Sequence, residues 1–279
     1  MSLRILLYTA LAMLAFAGNS LLCRAALRDS QIDPSSFTAI RLASGALVLG
    51  LLVALRRRGG LRGDWASALA LFSYAAAFSF AYIEVSAGTG ALILFGAVQA
   101  SMIGYGRLRG ERLGRLQLCG LGAAVGGLLY LLLPGASAPP LLAAGLMIGA
   151  GVAWAAYTLL GRGNDDPLAA TAGNFLRSLA ALPPLALAFH AELRWDGLGA
   201  FYALCSGALA SGLGYAVWYA ALPHLRAVQA ASVQLSVPVI AAALGIVLLD
   251  EAFSLRLAIA ALAVLGGIAL ILLARQRCA

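Results

Sequence analysis

Pro134-Gly135-Ala136-Ser137-Ala138-Pro139-Pro140 breaks an uncharged stretch that otherwise runs from Arg115 to Arg162. A bilayer core takes about 20 apolar residues per helix, so this stretch holds two spans and a tight turn. Outward from it the spacing recurs. No charge falls between Arg4 and Arg24, Asp64 and Glu84, Glu84 and Arg107, Asp196 and Arg226, Arg226 and Asp250, or Arg256 and Arg275. Two further spans carry one arginine each, 34–55 with Arg41 and 167–189 with Arg177. The pattern predicts an all-α integral membrane protein. Its ten transmembrane helices are expected at 3–23, 34–55, 65–84, 87–107, 115–133, 140–161, 167–189, 198–221, 226–249 and 255–274.

Composition agrees with lipid as the solvent. Of 279 residues, 62% are hydrophobic and 11% charged, whereas a soluble domain carries about 25% charged residues. A pI near 9.8 would suit nucleic-acid binding, but the arginines are spread over loop ends instead of gathering on one face. With the N-terminus inside, thirteen arginines fall in cytoplasmic segments and four outside, namely Arg24, Arg28, Arg194 and Arg256. That positive-inside bias predicts a multi-pass protein with both termini cytoplasmic and no nucleic-acid partner. All 19 basic residues are arginine, a usage in keeping with a GC-rich bacterial genome, so the bacterial inner membrane is the expected location. The first segment has the look of a secretory signal ending at Ala15-Phe16-Ala17, but an internal copy makes it a retained span.

That copy belongs to a repeat. Phe16-Ala17-Gly18-Asn19-Ser20-Leu21-Leu22-Cys23-Arg24 aligns with Trp154-Ala155-Ala156-Tyr157-Thr158-Leu159-Leu160-Gly161-Arg162. Asp33-Pro34 with Thr38-Ala39 matches Asp166-Pro167 with Thr171-Ala172, and Glu111 leading to Gly126-Gly127 matches Glu251 leading to Gly266-Gly267. Five spans per unit is an odd number, so the second copy starts on the opposite side of the membrane. The expected organisation is a first five-helix repeat at 1–134, a linker turn at 135–139, and an inverted repeat at 140–279. Secondary transporters built this way bind their solute near the midplane, between the repeats.

Gly110-Glu111-Arg112-Leu113 followed by Gln117 and Gly120 resembles the stretch before the fifth helix of EamA-type members of the drug/metabolite transporter superfamily. Asp250-Glu251-Ala252-Phe253 resembles its counterpart before the tenth. Pro34 with Arg41 is similar to that family's second helix, and Ser86-Ala87-Gly88-Thr89-Gly90-Ala91 to the start of its fourth. The resemblance covers nearly the whole chain and implies a ten-helix solute carrier. Within the family the chain looks most like the YddG-type exporters of aromatic amino acids. It departs from the family's fourth helix, which often carries a proline where Val98-Gln99 stands.

Aromatic and uncharged polar residues inside the spans are the candidates for holding a solute. Phe16 and Trp154 are repeat equivalents, as are Phe78 and Trp218, and inversion sets the two of each pair on opposite sides of the midplane. Tyr74, Phe78 and Tyr82 form an i, i+4, i+8 stripe, and Tyr215, Trp218 and Tyr219 a comparable patch. Phe95 and Tyr157 complete the ring set. Asn19, Gln99, Ser232, Gln234 and Ser236 cannot face lipid cheaply and could bridge helices or bond an amino-acid zwitterion. Pro238 frees a carbonyl near Gln234. Core packing is the competing role for every one of these side chains.

Arg41 and Arg177 are the intramembrane charges, read chiefly as anchors and otherwise as carboxylate receptors. All eleven acids lie in loops or at span ends, and Glu111 and Glu251 read as first-turn carboxylates favoured by the helix dipole. Without a buried acid relay, the expectation is export of neutral metabolites, aromatic and other neutral amino acids foremost, by alternating access without obligate proton coupling. A cationic-drug carrier would want a buried carboxylate, and a lipid-carrier flippase a basic groove. An intramembrane enzyme would need a nucleophile–base pair or metal cluster. His190 and His224 sit at span ends and Cys23, Cys119, Cys205 and Cys278 have no paired spacing, so no enzyme activity, metal or cofactor is expected. The partners are a small solute and the bilayer; a monomer suffices.

Overall fold

Acidic caps and prolines set the helix boundaries. A computed structural model describes residues 3–56, 60–110, 114–135, 138–162, 164–225, 230 and 233–276, and every regular element among them is helical. The α-helices are α1 (Leu3–Asp29), α2 (Pro34–Leu55), α3 (Trp65–Ala81), α4 (Ala87–Leu108), α5 (Arg115–Leu132), α6 (Leu141–Leu160), α7 (Pro167–Ser178), α8 (Leu182–Ala188), α9 (Gly197–Cys205), α10 (Gly214–Ala221), α11 (Ser236–Leu248) and α12 (Leu255–Gln276). A single 3-10 turn joins α7 to α8, where Pro183 and Pro184 remove backbone donors. A π-helical stretch, Ser206–Leu213, joins α9 to α10. Among the described residues, seven helical runs are long and apolar enough to cross a bilayer; Trp65–Ala81 and Ser236–Leu248 are apolar but shorter.

The spans lie close to their expected places, with instructive differences. Helix α1 continues past the expected end at residue 23 to Asp29, and Arg24 on the added turn donates to the carbonyls of Tyr82 and Ile83. The expected helix at 167–189 is broken, and that at 226–249 is described only from 233 onward and at Ala230. The expected linker is described at Gly135 and from Ala138.

Five of these helix starts carry a side-chain cap. Asp33, Asp64, Ser86, Asp166 and Asp196 each accept from a backbone N–H of the first turn of α2, α3, α4, α7 and α9. A cap of this kind contributes about 1 kcal/mol. Pro34 and Pro167 occupy first-turn positions whose N–H would have no partner anyway.

Packing is inside out relative to a soluble bundle. Leu47, Leu141 and Leu262 point outward with many other large apolar side chains, while Ser35, Thr38, Ser79, Thr171 and Ser206 are buried. Such a surface suits lipid as its solvent. Trp65 and Trp195 are exposed at helix starts, where the membrane interface favours tryptophan. Inside, α3 packs on α6 and α1 on α9 and α10; α4 packs on α6 and α1 on α11; α2 meets α7, α4 meets α11 and α5 meets α12. Glycine permits the last contact. A Cβ on Gly120 would collide with the Gly267 carbonyl, and one on Gly127 would lie 3.1 Å from the Ala260 carbonyl. Small residues of this kind let helices approach where lipid supplies no hydrophobic drive.

Candidate functional site

The helices leave a cavity of about 410 Å³ between α1, α3, α4, α6, α7 and the π stretch with α10. Its walls are mostly rings. Trp154 stacks on Tyr215 with centroids 5.6 Å apart and planes 18° apart, and contacts Tyr74 at 4.8 Å and Tyr157 at 5.4 Å. Phe16 meets Tyr215 at 5.7 Å and Trp218 at 6.1 Å. The belt therefore joins α1, α3, α6 and α10, and each offset pair contributes about 0.5–1.5 kcal/mol beyond area burial.

Polar groups are placed at intervals along this belt. The Asn19 amide donates to the Tyr74 hydroxyl at 3.3 Å and accepts from Ser206 at 2.6 Å, which ties α1 to α3 and to the π stretch. Tyr157 donates to Thr171 and Thr171 to Tyr219, at 3.2 and 3.1 Å. Asn174 lines the wall too, its carbonyl accepting the Asp64 N–H. Ser211 comes from the π stretch, a local widening of the helix that often accompanies a site.

One end of the cavity reaches solvent. Arg162 and Asn164, exposed on the turn from α6 to α7, stand at the mouth with Leu222. The other end is sealed. Arg24 pairs with Glu251 at 3.5 Å and donates to the carbonyls of Tyr82 and Ile83 at 2.9 and 2.7 Å. Both Glu251 carboxylate oxygens accept the Ala87 N–H, at 2.9 and 3.0 Å, and Arg28 donates to the Leu249 carbonyl. Glu251 thus sits at the N-terminus of α4 and not, as its sequence position suggested, on the first turn of its own helix. Local backbone puts it there. Asp250 takes φ 49°, a left-handed conformation that Asp tolerates better than most residues, and Gly245 leaves room for the carboxylate.

Of the expected site residues, the cavity gathers Phe16, Asn19, Tyr74, Phe78, Phe95, Trp154, Tyr157, Tyr215 and Trp218. Tyr82 stands away from it, fully buried edge-to-face on Phe78 with its hydroxyl on the Ala87 carbonyl. Gln99 lies in a minor gap between α4, α5 and α12, and Ser236 donates to the Val233 carbonyl. Ser232 lies outside the described residues. Sequence reasoning left Ser20, Thr158, Thr171, Asn174 and Ser211 off the site, whereas Tyr219 and Gln234, both named from the sequence, line the cavity. Thr171 and Asn174 had a signal, a polar stripe three residues apart on one helix face. Arg177, one of the two intramembrane charges read from the sequence, donates to the carbonyls of Arg62 and Gly173 and so tethers the loop before α3.

Chemically, the cavity suits a small solute with a flat apolar part and hydrogen-bonding groups. No described residue lining it is acidic, and Arg162 is the charged group on its wall. Comparison with known proteins agrees with a carrier. Uncharacterized protein PA1977 of Pseudomonas aeruginosa is 66% identical over 274 residues, 98% of this chain and 96% of that protein. A solved crystal structure, described only as that of a protein, aligns over 96% of this chain and 98% of its own with a TM-score of 0.68. At 20% identity it speaks for the fold alone. A profile of the EamA-like transporter family matches residues 3–133 and again 141–273. The chain therefore belongs to the EamA-like transporter family of multi-pass membrane proteins.

Proposed function

We propose that this protein exports small neutral metabolites, aromatic and other neutral amino acids foremost, across a bacterial inner membrane by alternating access without obligate proton coupling. The observation that carries the reading is the ring-lined cavity, open at one end and closed by an ion pair at the other. Its volume falls in the range of about 300–1,000 Å³ typical of small-molecule sites. A zwitterion finds rings for its side chain and uncharged donors and acceptors for its head. A cationic drug finds no carboxylate on the described wall, and no acid stands there to relay a proton.

Alternating access rests on ten spans in two inverted repeats, 1–134 and 140–279, with both termini cytoplasmic. Three observations support that organisation. The family profile matches once in each half. Contacts come in equivalent pairs: α3 on α6 mirrors α1 on α9–α10, and α4 on α6 mirrors α1 on α11. Equivalent helices α5 and α12 run antiparallel, since Gly120 meets Gly267 while Gly127 meets Ala260. A two-fold axis in the membrane plane produces these relations. Under this topology the open mouth faces the cytoplasm, from which an exporter loads.

Counterflow in proteoliposomes tests the reading. Loaded L-phenylalanine or L-tyrosine is expected to drive uptake of the labelled amino acid with no imposed gradient. Absence of exchange with every neutral amino acid would sink the substrate class. A strict requirement for a pH gradient would sink uncoupled transport.

A further inference from the structure

Arg41, on α2, is 2% exposed, and its Nη1 has no hydrogen-bond partner. Neither ion pair among the described residues involves it. Its guanidinium carbon lies 5.0 Å from the Phe78 ring and 5.4 Å from the Tyr74 ring, both cavity-wall residues. Two cation–π contacts offset only part of the cost of burying a charge. Arg177 in the other half is spent on carbonyls, whereas Arg41 keeps a free donor directly behind the wall.

The repeat explains why that donor is held in reserve. Alignment of Thr38 with Thr171 makes Arg41 the equivalent of Asn174, and alignment of Phe78 with Trp218 makes Ser79 the equivalent of Tyr219. The contacts follow suit, because Thr38 donates to Ser79 at 2.9 Å just as Thr171 donates to Tyr219 at 3.1 Å. Cys23, buried near Arg41, is the equivalent of Gly161. Asn174, Tyr219 and Gly161 all line the open cavity. The sealed half thus contains the collapsed counterpart of that cavity, with an arginine where the open one has an asparagine.

We infer that Arg41 is the carboxylate receptor of the cavity in its opposite-facing state, so that the transported solutes are carboxylate-bearing. The inference rests on the proposed transport of amino acids and deepens it. A carboxylate gives the guanidinium the charge-assisted bonds it lacks, and a forked donor suits a planar anion. The asymmetry also places the anion-binding group nearer the exit than the entrance.

The test is counterflow with L-phenylalanine and, separately, L-phenylalanine amide, at a pH where the amide is uncharged. Wild type is expected to exchange the acid at least about tenfold faster than the amide, a difference of about 1.4 kcal/mol. Arg41→Gln is expected to remove that preference by slowing the acid while leaving the amide unchanged, and Arg41→Lys to restore part of it. Equal slowing of acid and amide in folded Arg41→Gln protein would make Arg41 a structural anchor and overturn the inference. If Arg41→Gln does not fold, the wild-type ratio still decides, since equal exchange of both compounds overturns it. Exchange of neither compound by wild type would instead remove the amino-acid reading on which the inference stands.

Discussion

The two ends of the cavity are closed and opened by different chemistry. At the sealed end, Arg24 and Glu251 meet with side chains only 14% and 9% exposed, and the carboxylate also holds the N-terminus of α4. At the open end the wall is held by neutral hydroxyls, Tyr157, Thr171 and Tyr219, and the arginine equivalent to Arg24, Arg162, stands exposed at the mouth. The sequence counterpart of Glu251 is Glu111, which lies outside the described residues. A buried ion pair is all-or-none, because separating it leaves two desolvated charges, whereas hydroxyl contacts yield one at a time. The comparison sets a buried ion pair, which joins α1 to the turn before α12 at one end, against neutral hydroxyl contacts at the other.

Removing that lock should have the largest effect. Glu251→Gln strands Arg24, and breaking one partner of a buried pair costs about 3–5 kcal/mol. The expected outcome is a lower Tm together with modification of Cys23 by a water-soluble maleimide, mapped by mass spectrometry. Cys23 is fully buried beside the seal, so continued protection would mean that the pair is no gate. Next in size is the aromatic belt. Trp154→Ala removes ring contacts to Tyr74, Tyr157 and Tyr215, and Trp218→Ala the edge contact to Phe16; each is expected to cut aromatic-solute exchange about fivefold, since losing one ring contact with the solute forgoes about 0.5–1.5 kcal/mol. Detergent-purified yield should change far less, and wild-type exchange rates would take the two rings off the site.

Smaller effects belong to the open end. Thr171→Val breaks both links of the hydroxyl chain and is expected to lower stability by about 1–2 kcal/mol, measured by thermal melting. The least change is expected at the cap of α3. Partial burial pushes the Asp64 carboxyl up, but hydrogen bonds from the Ser67 hydroxyl and from the Ser67 and Ala66 backbone, with Arg177 nearby, outweigh this and hold it below the usual carboxylate range. A depressed folded value means that the cap's contribution is present above the unfolded value, about pH 3.9, and is lost as pH falls through the folded one. Asp64→Ala should therefore cost about 1 kcal/mol at neutral pH, and that difference should shrink at pH 3. A difference that held constant with pH would mean the carboxylate is not the cap.

Sequence alone located most of the apolar helices, because uncharged runs and caps such as Asp33-Pro34 and Asp166-Pro167 act within one or two turns, but not the extension of α1 to Asp29 or the break after Ser178. It also offered the internal similarity from which Phe16 with Trp154 and Phe78 with Trp218 could be picked as candidates, and all four rings line the cavity. Only tertiary structure decided which face of each stripe turned inward. Tyr82 follows the same i+4 spacing as Tyr74 and Phe78, yet it packs beneath the seal, while Asn174, which the sequence did not single out, lines the wall. Periodicity fixes neighbours along one helix, but a cavity is the space left between several. Glu251 makes the same point, since its partner amide at Ala87 is 164 residues away in the chain and nothing local to either residue announces the contact.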